Sequence, residues 1–149
     1  MSFTTEVSVT PEQAWAWITS FDDIAKEMSP YLRMSVPSGV SKLSDRFTQP
    51  GARMFRSWIK LFGVLPMDYS NLTLVGLTPG VGFVEQSPMG SMKLWRHERT
   101  ISACAVGSKI TDTLTFEPRL ASHLVAAIVR AFFAHRHRQL AQHLGQSRK

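Results

Sequence analysis

The stretch LASHLVAAIVRAFFAHRHRQLAQHL, at residues 120–144, predicts one long amphipathic helix near the end of the chain. Its apolar side chains recur three and four residues apart, the spacing of one helical face. A face this wide must be buried against a large partner, and only a sheet elsewhere in the chain can supply one. We assign a main stripe to Leu124, Ile128, Ala131, Phe132 and His135, flanked by Val125, Val129, Phe133, Arg136 and Leu140.

Most of the chain before this helix is predicted to form antiparallel strands. Alternating polarity predicts a first strand at residues 3–9. Residues 37–53, which are rich in Pro, Gly and Ser, predict an irregular and mobile segment. Further strands, separated by short turns that contain Pro or Gly, are predicted at 55–64, 67–77, 82–87, 93–104 and 109–116.

Two short helices are predicted after the first strand. Thr10, Pro11 and Gln13 form a capping-box signal with Pro at the first helical position. Ser20 repeats the start signal, and Pro30 ends the second helix. This order predicts an α+β fold in which a curved antiparallel sheet wraps around the long C-terminal helix, with residues 1–149 forming one domain.

Composition and cysteine content place the chain among single-domain proteins of the cell interior. Its 149 residues are 44 % hydrophobic and only 19 % charged, which favours a large apolar interior. Cys104 is the sole cysteine, so no internal disulfide is possible and a reducing compartment is expected. The N-terminus lacks the pattern of a secretory signal, and no apolar run reaches the length of about 18 residues that a membrane span needs. We therefore expect a soluble, cytoplasmic protein.

The net charge of +6 is concentrated in the last part of the sequence. No acidic residue follows Glu117, and the first 118 residues hold eleven basic and eleven acidic side chains. We interpret the basic end as the solvated end of a helix and expect no nucleic-acid partner, while transient contact with an anionic membrane stays an alternative. The six basic residues after Glu117 are Arg119, Arg130, Arg136, Arg138, Arg148 and Lys149.

The histidines of the last helix do not predict a metal site. His135 and His137 point about 200° apart on a helix, so they cannot bind one ion together. Arg136 continues the buried flank, whereas His137 and Arg138 are expected to face water. The sequence offers no other metal set and no cofactor motif, so neither a metal nor a cofactor is predicted.

The last two strands carry charged residues on faces that are otherwise apolar. Ile110, Leu114 and Phe116 predict an inward face for the final strand, and Asp112 falls on it. On the preceding strand the inward face is predicted to hold Trp95, His97, Arg99 and Ile101. A tight turn around Val106 would place Arg99 opposite Asp112 and His97 opposite Leu114. This pairing would offset the desolvation of both charges.

Two interpretations of this charged pair remain open. In one, Arg99 binds a carboxylate, phosphate or enolate oxygen in an apolar cavity, and His97 acts as a general acid or base. In the other, Arg99 and Asp112 form a structural ion pair and His97 is a partly buried histidine. Glu85 is likewise either a second polar anchor or a solvated carboxylate at a strand edge. The candidate ligand-binding residues are Trp58, Phe62, Phe83, Glu85, Trp95, His97, Arg99, Asp112, Leu114, Ile128 and Phe132, with His97 also the candidate catalytic residue.

Three stretches resemble a known superfamily. They are VTPEQAW at 9–15, WRHER at 95–99 followed by ITD at 110–112, and FFAHRHRQL at 132–140. Together they resemble the START and polyketide-cyclase/dehydrase (SRPBCC) superfamily, whose members have the helix-grip fold. The resemblance implies a cavity between the sheet and the last helix that binds a small hydrophobic molecule such as a lipid, a quinone or a polyketide. It also leaves open an enzyme of the cyclase or dehydratase type that would use His97, Asp112 and Arg99.

Overall fold

A computed structural model of the chain describes residues 1–145. Their helices and strands follow the predicted order. They are β1 (Ser2–Val7), α1 (Pro11–Thr19), α2 (Phe21–Met28), β2 (Leu32–Met34), β3 (Arg53–Leu61), β4 (Leu65–Thr78), β5 (Gly82–Gln86), β6 (Met92–Cys104), β7 (Gly107–Pro118) and α3 (Ser122–Leu144), with one 3₁₀ turn at Leu43–Arg46.

All seven strands form one antiparallel sheet in the order β1-β7-β6-β5-β4-β3-β2. The strands from β2 to β7 therefore meander, and β1 closes the far edge by pairing with β7. The sheet is curled, the long helix α3 lies against it, and the two short helices follow the first strand. This is the helix-grip arrangement, and the predicted fold class is confirmed.

The helix starts are fixed by side-chain caps, as predicted. The Thr10 hydroxyl accepts a hydrogen bond from the backbone N–H of Gln13 at 3.2 Å, and the Gln13 side chain accepts one from Thr10 at 3.0 Å. Ser20 caps α2 in the same way through the N–H of Asp23 at 3.3 Å. Because these caps satisfy backbone donors that have no partner within the helix, both helices begin where the sequence indicates.

The predicted strands need two corrections, one at the end of β3 and one for a short strand before it. The strand predicted at 55–64 ends at Leu61, because Phe62 and Gly63 both adopt positive φ and reverse the chain. Phe62 is therefore an exposed turn residue and not part of a strand face. The three-residue strand β2 was not predicted, since a segment so short shows no period. Residues 37–53 are irregular as predicted, apart from the 3₁₀ turn that buries Leu43 and from Arg53, which begins β3.

The register of the last hairpin is confirmed residue by residue. Arg99 pairs with Asp112 and His97 pairs with Leu114, across a two-residue turn at Ala105 and Val106. Ile101, Ile110, Leu114 and both members of the Arg99–Asp112 pair are buried. The alternation of polarity on the two strands thus identified the inward faces correctly.

The stripe that we predicted to be buried on α3 is wrong in its first half. Leu124 is 63 % exposed and Ile128 is 56 % exposed, so they line no interior. The predicted flank packs instead, because Val129, Phe133 and Leu140 meet the sheet and the short helices. Among residues 1–145, no helix has both the length and the apolar character that crossing a membrane demands.

Candidate functional site

A cluster of buried ionisable side chains lies between the sheet and the two helices α2 and α3. We call it the ionic cluster. Arg99 on β6 is at its centre and is 0 % exposed. Its guanidinium donates to both carboxylate oxygens of Asp112 at 2.7 Å and, through Nη1, to both oxygens of Glu27 at 2.8 and 2.9 Å. The full set is Glu27, Glu85, His97, Arg99, Asp112, Arg136 and His137.

Asp112 is the main acceptor of the cluster. Besides the two bonds from Arg99, its Oδ1 lies 2.6 Å from Nε2 of His97 and its Oδ2 lies 2.8 Å from Nε2 of His137. Burial alone would raise the pKa of Asp112, but the Arg99 charge and the neighbouring donors hold that pKa well below its usual range. Asp112 is therefore ionised, and both histidines must donate to it through Nε2–H.

His97 lies between two carboxylates. Its Nδ1 is 3.7 Å from Oε1 of Glu85, too far for a hydrogen bond but close enough for electrostatic attraction. Burial acts to lower the pKa of His97, and attraction to Asp112 with help from Glu85 outweighs that effect and raises it. The His97 ring also contacts the rings of Phe83 and Phe133, with centroids 5.7 and 5.2 Å away.

Glu85 is mostly buried in this site and lies on an inner strand of the sheet, so the alternative that it is a solvated strand-edge carboxylate is wrong. Its side chain is only 14 % exposed, and its Oε2 accepts a hydrogen bond from the Ser87 hydroxyl at 2.7 Å. Burial acts to raise the pKa of Glu85, but attraction to His97 and the Ser87 bond hold that pKa below its usual range. Glu85 thus carries a negative charge that faces His97.

The two helices contribute a carboxylate and a guanidinium. Glu27 on α2 accepts from Arg99 and also from Nη2 of Arg136 at 3.1 Å. Arg136 on α3 places its guanidinium 5.0 Å from the centre of the Phe133 ring. Its Nε–H is buried and has no hydrogen-bond partner within residues 1–145. A buried donor without an acceptor is unfavourable, so this side chain has unused binding capacity.

The prediction that His137 faces water is wrong. His137 is buried, and its Nδ1 lies 2.7 Å from the Thr5 hydroxyl while its Nε2 bonds to Asp112. His135 is directed elsewhere, with Nε2 2.7 Å from the carbonyl oxygen of Ser29. The prediction that the two histidines point to different sides is confirmed. Arg136 is buried and Arg138 is exposed, both as predicted, and Arg119 and Arg130 are exposed as well. The interpretation of a solvated helix end therefore fails for His137 but not for these basic residues, and Arg148 and Lys149 lie outside the described residues.

The charges of the cluster balance when one histidine is protonated. Glu27, Glu85 and Asp112 contribute three negative charges, while Arg99 and Arg136 contribute two positive ones. An imidazolium at His97 makes the sum zero, in agreement with its raised pKa. The four bonds to Asp112 leave its oxygens no free position for a metal, and no metal-binding group of three ligands occurs among the described residues.

One protein family matches almost the whole chain. Residues 5–144 match the family described as "Domain of unknown function (DUF8410)". The chain belongs to this family. No curated protein matches the DUF8410 chain.

Solved structures of low sequence identity share the fold of this DUF8410 chain. Protein CV1439 from Chromobacterium violaceum has 11 % identity and a TM-score of 0.72, with 99 % of this chain and 98 % of that one covered. The AHSA1 protein from Silicibacter pomeroyi has 15 % identity and a TM-score of 0.64, covering 95 % and 94 %. Ara h 8.0201 has 12 % identity and a TM-score of 0.59, covering 95 % and 97 %. These likenesses confirm the predicted helix-grip fold.

The structure brings most of the predicted ligand-binding residues together. Phe83, Glu85, Trp95, His97, Arg99, Asp112 and Leu114 lie in or beside the ionic cluster, and Phe132 contacts Phe133 at its edge. Trp58, Phe62 and Ile128 do not, since all three are exposed. Trp58 lines a separate cavity of about 430 Å³ with Met67 and Tyr69.

Sequence reasoning missed Glu27, Arg136 as an ionic partner, and His137. Glu27 had a signal, because it follows Ile24 by three residues and precedes Met28 on the buried face of α2. An acidic residue at such a position needs a buried cation. The sequence gives no such signal for His137, because its burial depends on how α3 packs against β1 and β7.

Proposed function

We propose that this DUF8410 protein binds a small hydrophobic molecule that carries an oxygen acceptor, between the sheet and α3. The observation that carries the proposal is the buried Nε–H of Arg136, which lacks an acceptor beside a cluster that is otherwise paired. A guanidinium presents its donors in a fixed fork, so a second face remains for a ligand oxygen. The carboxylate of a lipid, the carbonyl of a quinone and the ketone of a polyketide all supply such an oxygen.

The surroundings of Arg136 suit the rest of such a molecule. Phe133 lies under its guanidinium, and Phe132 and Trp95 contact Phe133. Polar anchors inside a mainly aromatic and aliphatic site are typical of small-molecule binding sites. The helix-grip fold itself is compatible with this function, although a fold does not determine a ligand.

Displacement of an apolar fluorescent dye tests the proposal. We expect the dye to bind with a stoichiometry near one and to be displaced by a fatty acid or a quinone. Arg136→Gln should weaken the competitor and not the dye, because only the competitor carries the oxygen. Arg130→Gln, an exposed change on the same helix, is the matched control. A folded protein that binds no dye, or equal competition in both variants, would overturn the proposal.

A cyclase or dehydratase is the second candidate. The observation in its favour is the imidazolium of His97, held between Asp112 and Glu85 with a raised pKa. Both ring nitrogens face carboxylates, so His97 would have to release one of them before it could transfer a proton to a substrate. Binding at Arg136 does not require His97 to release a carboxylate, which is why we place the binding function first. His97→Gln would leave ligand displacement within a few-fold in a carrier and abolish turnover in an enzyme.

A further inference from the structure

A second cavity lies at the opposite edge of the sheet, away from the ionic cluster. It measures about 350 Å³ and is formed by α2, β2 and the segment that follows β2. Phe21, Met34, Val36 and Val40 give it apolar walls. A volume of this size is within the range of sites that bind small molecules. We call this cavity the edge pocket.

Two cations face each other in the edge pocket. Arg33 on β2 and Lys60 on β3 are directly opposed partners in the antiparallel register, and both line the cavity. Like charges at opposed positions destabilise a sheet. Neither cation forms an ion pair with any residue of the described part of the chain, and Asp22 is the single acidic side chain of the lining. The pocket therefore has a net positive charge that folding does not require.

Exposed apolar side chains stand beside these cations. The β3–β4 turn presents Phe62 at 62 % and Val64 at 78 % exposure, followed by the exposed Leu65. The backbone N–H of Phe62 donates to the carbonyl oxygen of Tyr31 at 2.8 Å, which joins this turn to the residue just before β2, two positions from Arg33. Phe62 has a φ of +51°, a conformation that suits glycine and not a bulky residue. Folding gains neither burial nor easy geometry from a phenylalanine here.

We infer that the edge pocket binds the anionic headgroup of an amphiphile. Arg33 and Lys60 would contact the phosphate or carboxylate together, which removes their mutual repulsion. The chain of the amphiphile would lie along Phe62, Val64 and Leu65. The same chemistry is supplied by a free amphiphile or by a lipid within a bilayer. This site is separate from Arg136 and does not depend on the function proposed above.

The test measures binding of decyl phosphate monomers, with decanol as the uncharged comparison, and sedimentation with vesicles. The vesicles contain phosphatidylcholine alone or phosphatidylcholine with phosphatidylglycerol. We expect Arg33→Gln and Lys60→Gln each to weaken binding of the anion about fivefold, the effect of one basic charge at an anionic surface. Arg119→Gln and Lys109→Gln remove exposed charges elsewhere and should leave binding unchanged.

The turn has its own variant and control. Phe62→Ser should weaken binding of decyl phosphate, whereas Val106→Ser, at the exposed turn between β6 and β7, should not. Removing Arg33 or Lys60 relieves a repulsion, so neither Gln variant should lower the thermal midpoint. Binding of decyl phosphate and of anionic vesicles identifies a bilayer as the source, and binding of decyl phosphate alone identifies a free amphiphile. Binding of neither, or equal losses in the control variants, would overturn the inference.

Discussion

Arg99 keeps its charge without any contact with water, because carboxylates from a strand and from a helix satisfy three of its nitrogens. Moving an ion from water into a protein interior is unfavourable by several kcal/mol, even after the protein relaxes. Removing one partner of a buried ion pair is unfavourable by about 3–5 kcal/mol, because the other charge stays buried without compensation. The direction of the effect on Arg99 follows: attraction to Asp112 and Glu27 outweighs burial and raises its pKa further above an already high value. The carboxylates of Asp112 and Glu27 therefore hold the Arg99 guanidinium in place.

A double-mutant cycle on Arg99→Met and Asp112→Asn tests this coupling. Each single change should lower the free energy of unfolding by about 3–5 kcal/mol, since each leaves a buried charge without its partner. The double change should lower it by much less than the sum, because the two residues belong to one network. Urea unfolding of the four proteins gives the coupling energy.

Arg96→Met is the matched control for Arg99→Met. Arg96 lies on the same strand, and its ion pair with Glu98 at 3.5 Å is partly exposed. Its loss should change the free energy of unfolding by about 0.5 kcal/mol or less. Additive effects in the Arg99–Asp112 cycle would show that the two charges do not depend on each other.

The protonation of His97 gives a second prediction for single residues. Its pKa should lie above the ordinary value of 6.5, because Asp112 and Glu85 stabilise the imidazolium against the effect of burial. Glu85→Gln should lower that pKa, because it removes one of the two carboxylates that face His97. Titration of the His97 ring signals by NMR, in the wild type and in Glu85→Gln, measures this pKa. A His97 pKa below 6.5, or one that Glu85→Gln leaves unchanged, would contradict the charge assignment.

Helix α3 shows what an element's own sequence can and cannot predict. On β6 and β7 a short turn fixes the register, and alternation then determines which side chains face inward. On α3 the residues at 124 and 128 are as apolar as those at 129 and 133, so periodicity offered two nearly equal faces. Packing against the sheet and the hydrogen bonds of Arg136 and His137 determine which of the two faces is buried. Those partners come from distant parts of the chain, and local patterns do not report them.

The observed orientation of α3 predicts a strong contrast between two apolar residues on different faces of this helix. Phe133→Ala should lower the free energy of unfolding by about 3–5 kcal/mol, because Phe133 is buried among aromatic rings. Ile128→Ala should change it by less than about 0.5 kcal/mol, since Ile128 is exposed and Ala favours a helix. Urea unfolding of the two variants measures the contrast. Similar losses in both would mean that the helix is rotated from the orientation described here.

Across the whole molecule, the ionic cluster joins elements that are far apart in sequence. Its hydrogen bonds connect α2 and α3 to β6 and β7, and His137 adds β1 through Thr5. The His97 ring touches Phe83 of the larger apolar core and Phe133 of the smaller one. Protonation changes within the cluster should therefore affect the stability of the entire fold.

The pH dependence of unfolding follows from the signs of the shifts. Asp112 and Glu85 have lowered pKa values, so their contributions are complete above their ordinary values of 3.8 and 4.5 and are lost as the pH falls through the lowered values. His97 has a raised pKa, so its contribution is complete below 6.5 and is lost as the pH rises through the raised value. The cluster should thus stabilise the fold most between pH 4.5 and 6.5.

Urea unfolding as a function of pH tests this window on the intact chain. The free energy of unfolding of the wild type should fall both below and above this pH window. In His97→Gln the fall above the window should disappear, while the fall below it should remain. Glu98→Gln alters a partly exposed carboxylate on the same strand as His97, so the stability of this variant should still fall both below and above the window. The acid loss and the alkaline loss belong to different residues. If His97→Gln abolished both losses or neither, the pH dependence of unfolding would not come from the charges of the cluster.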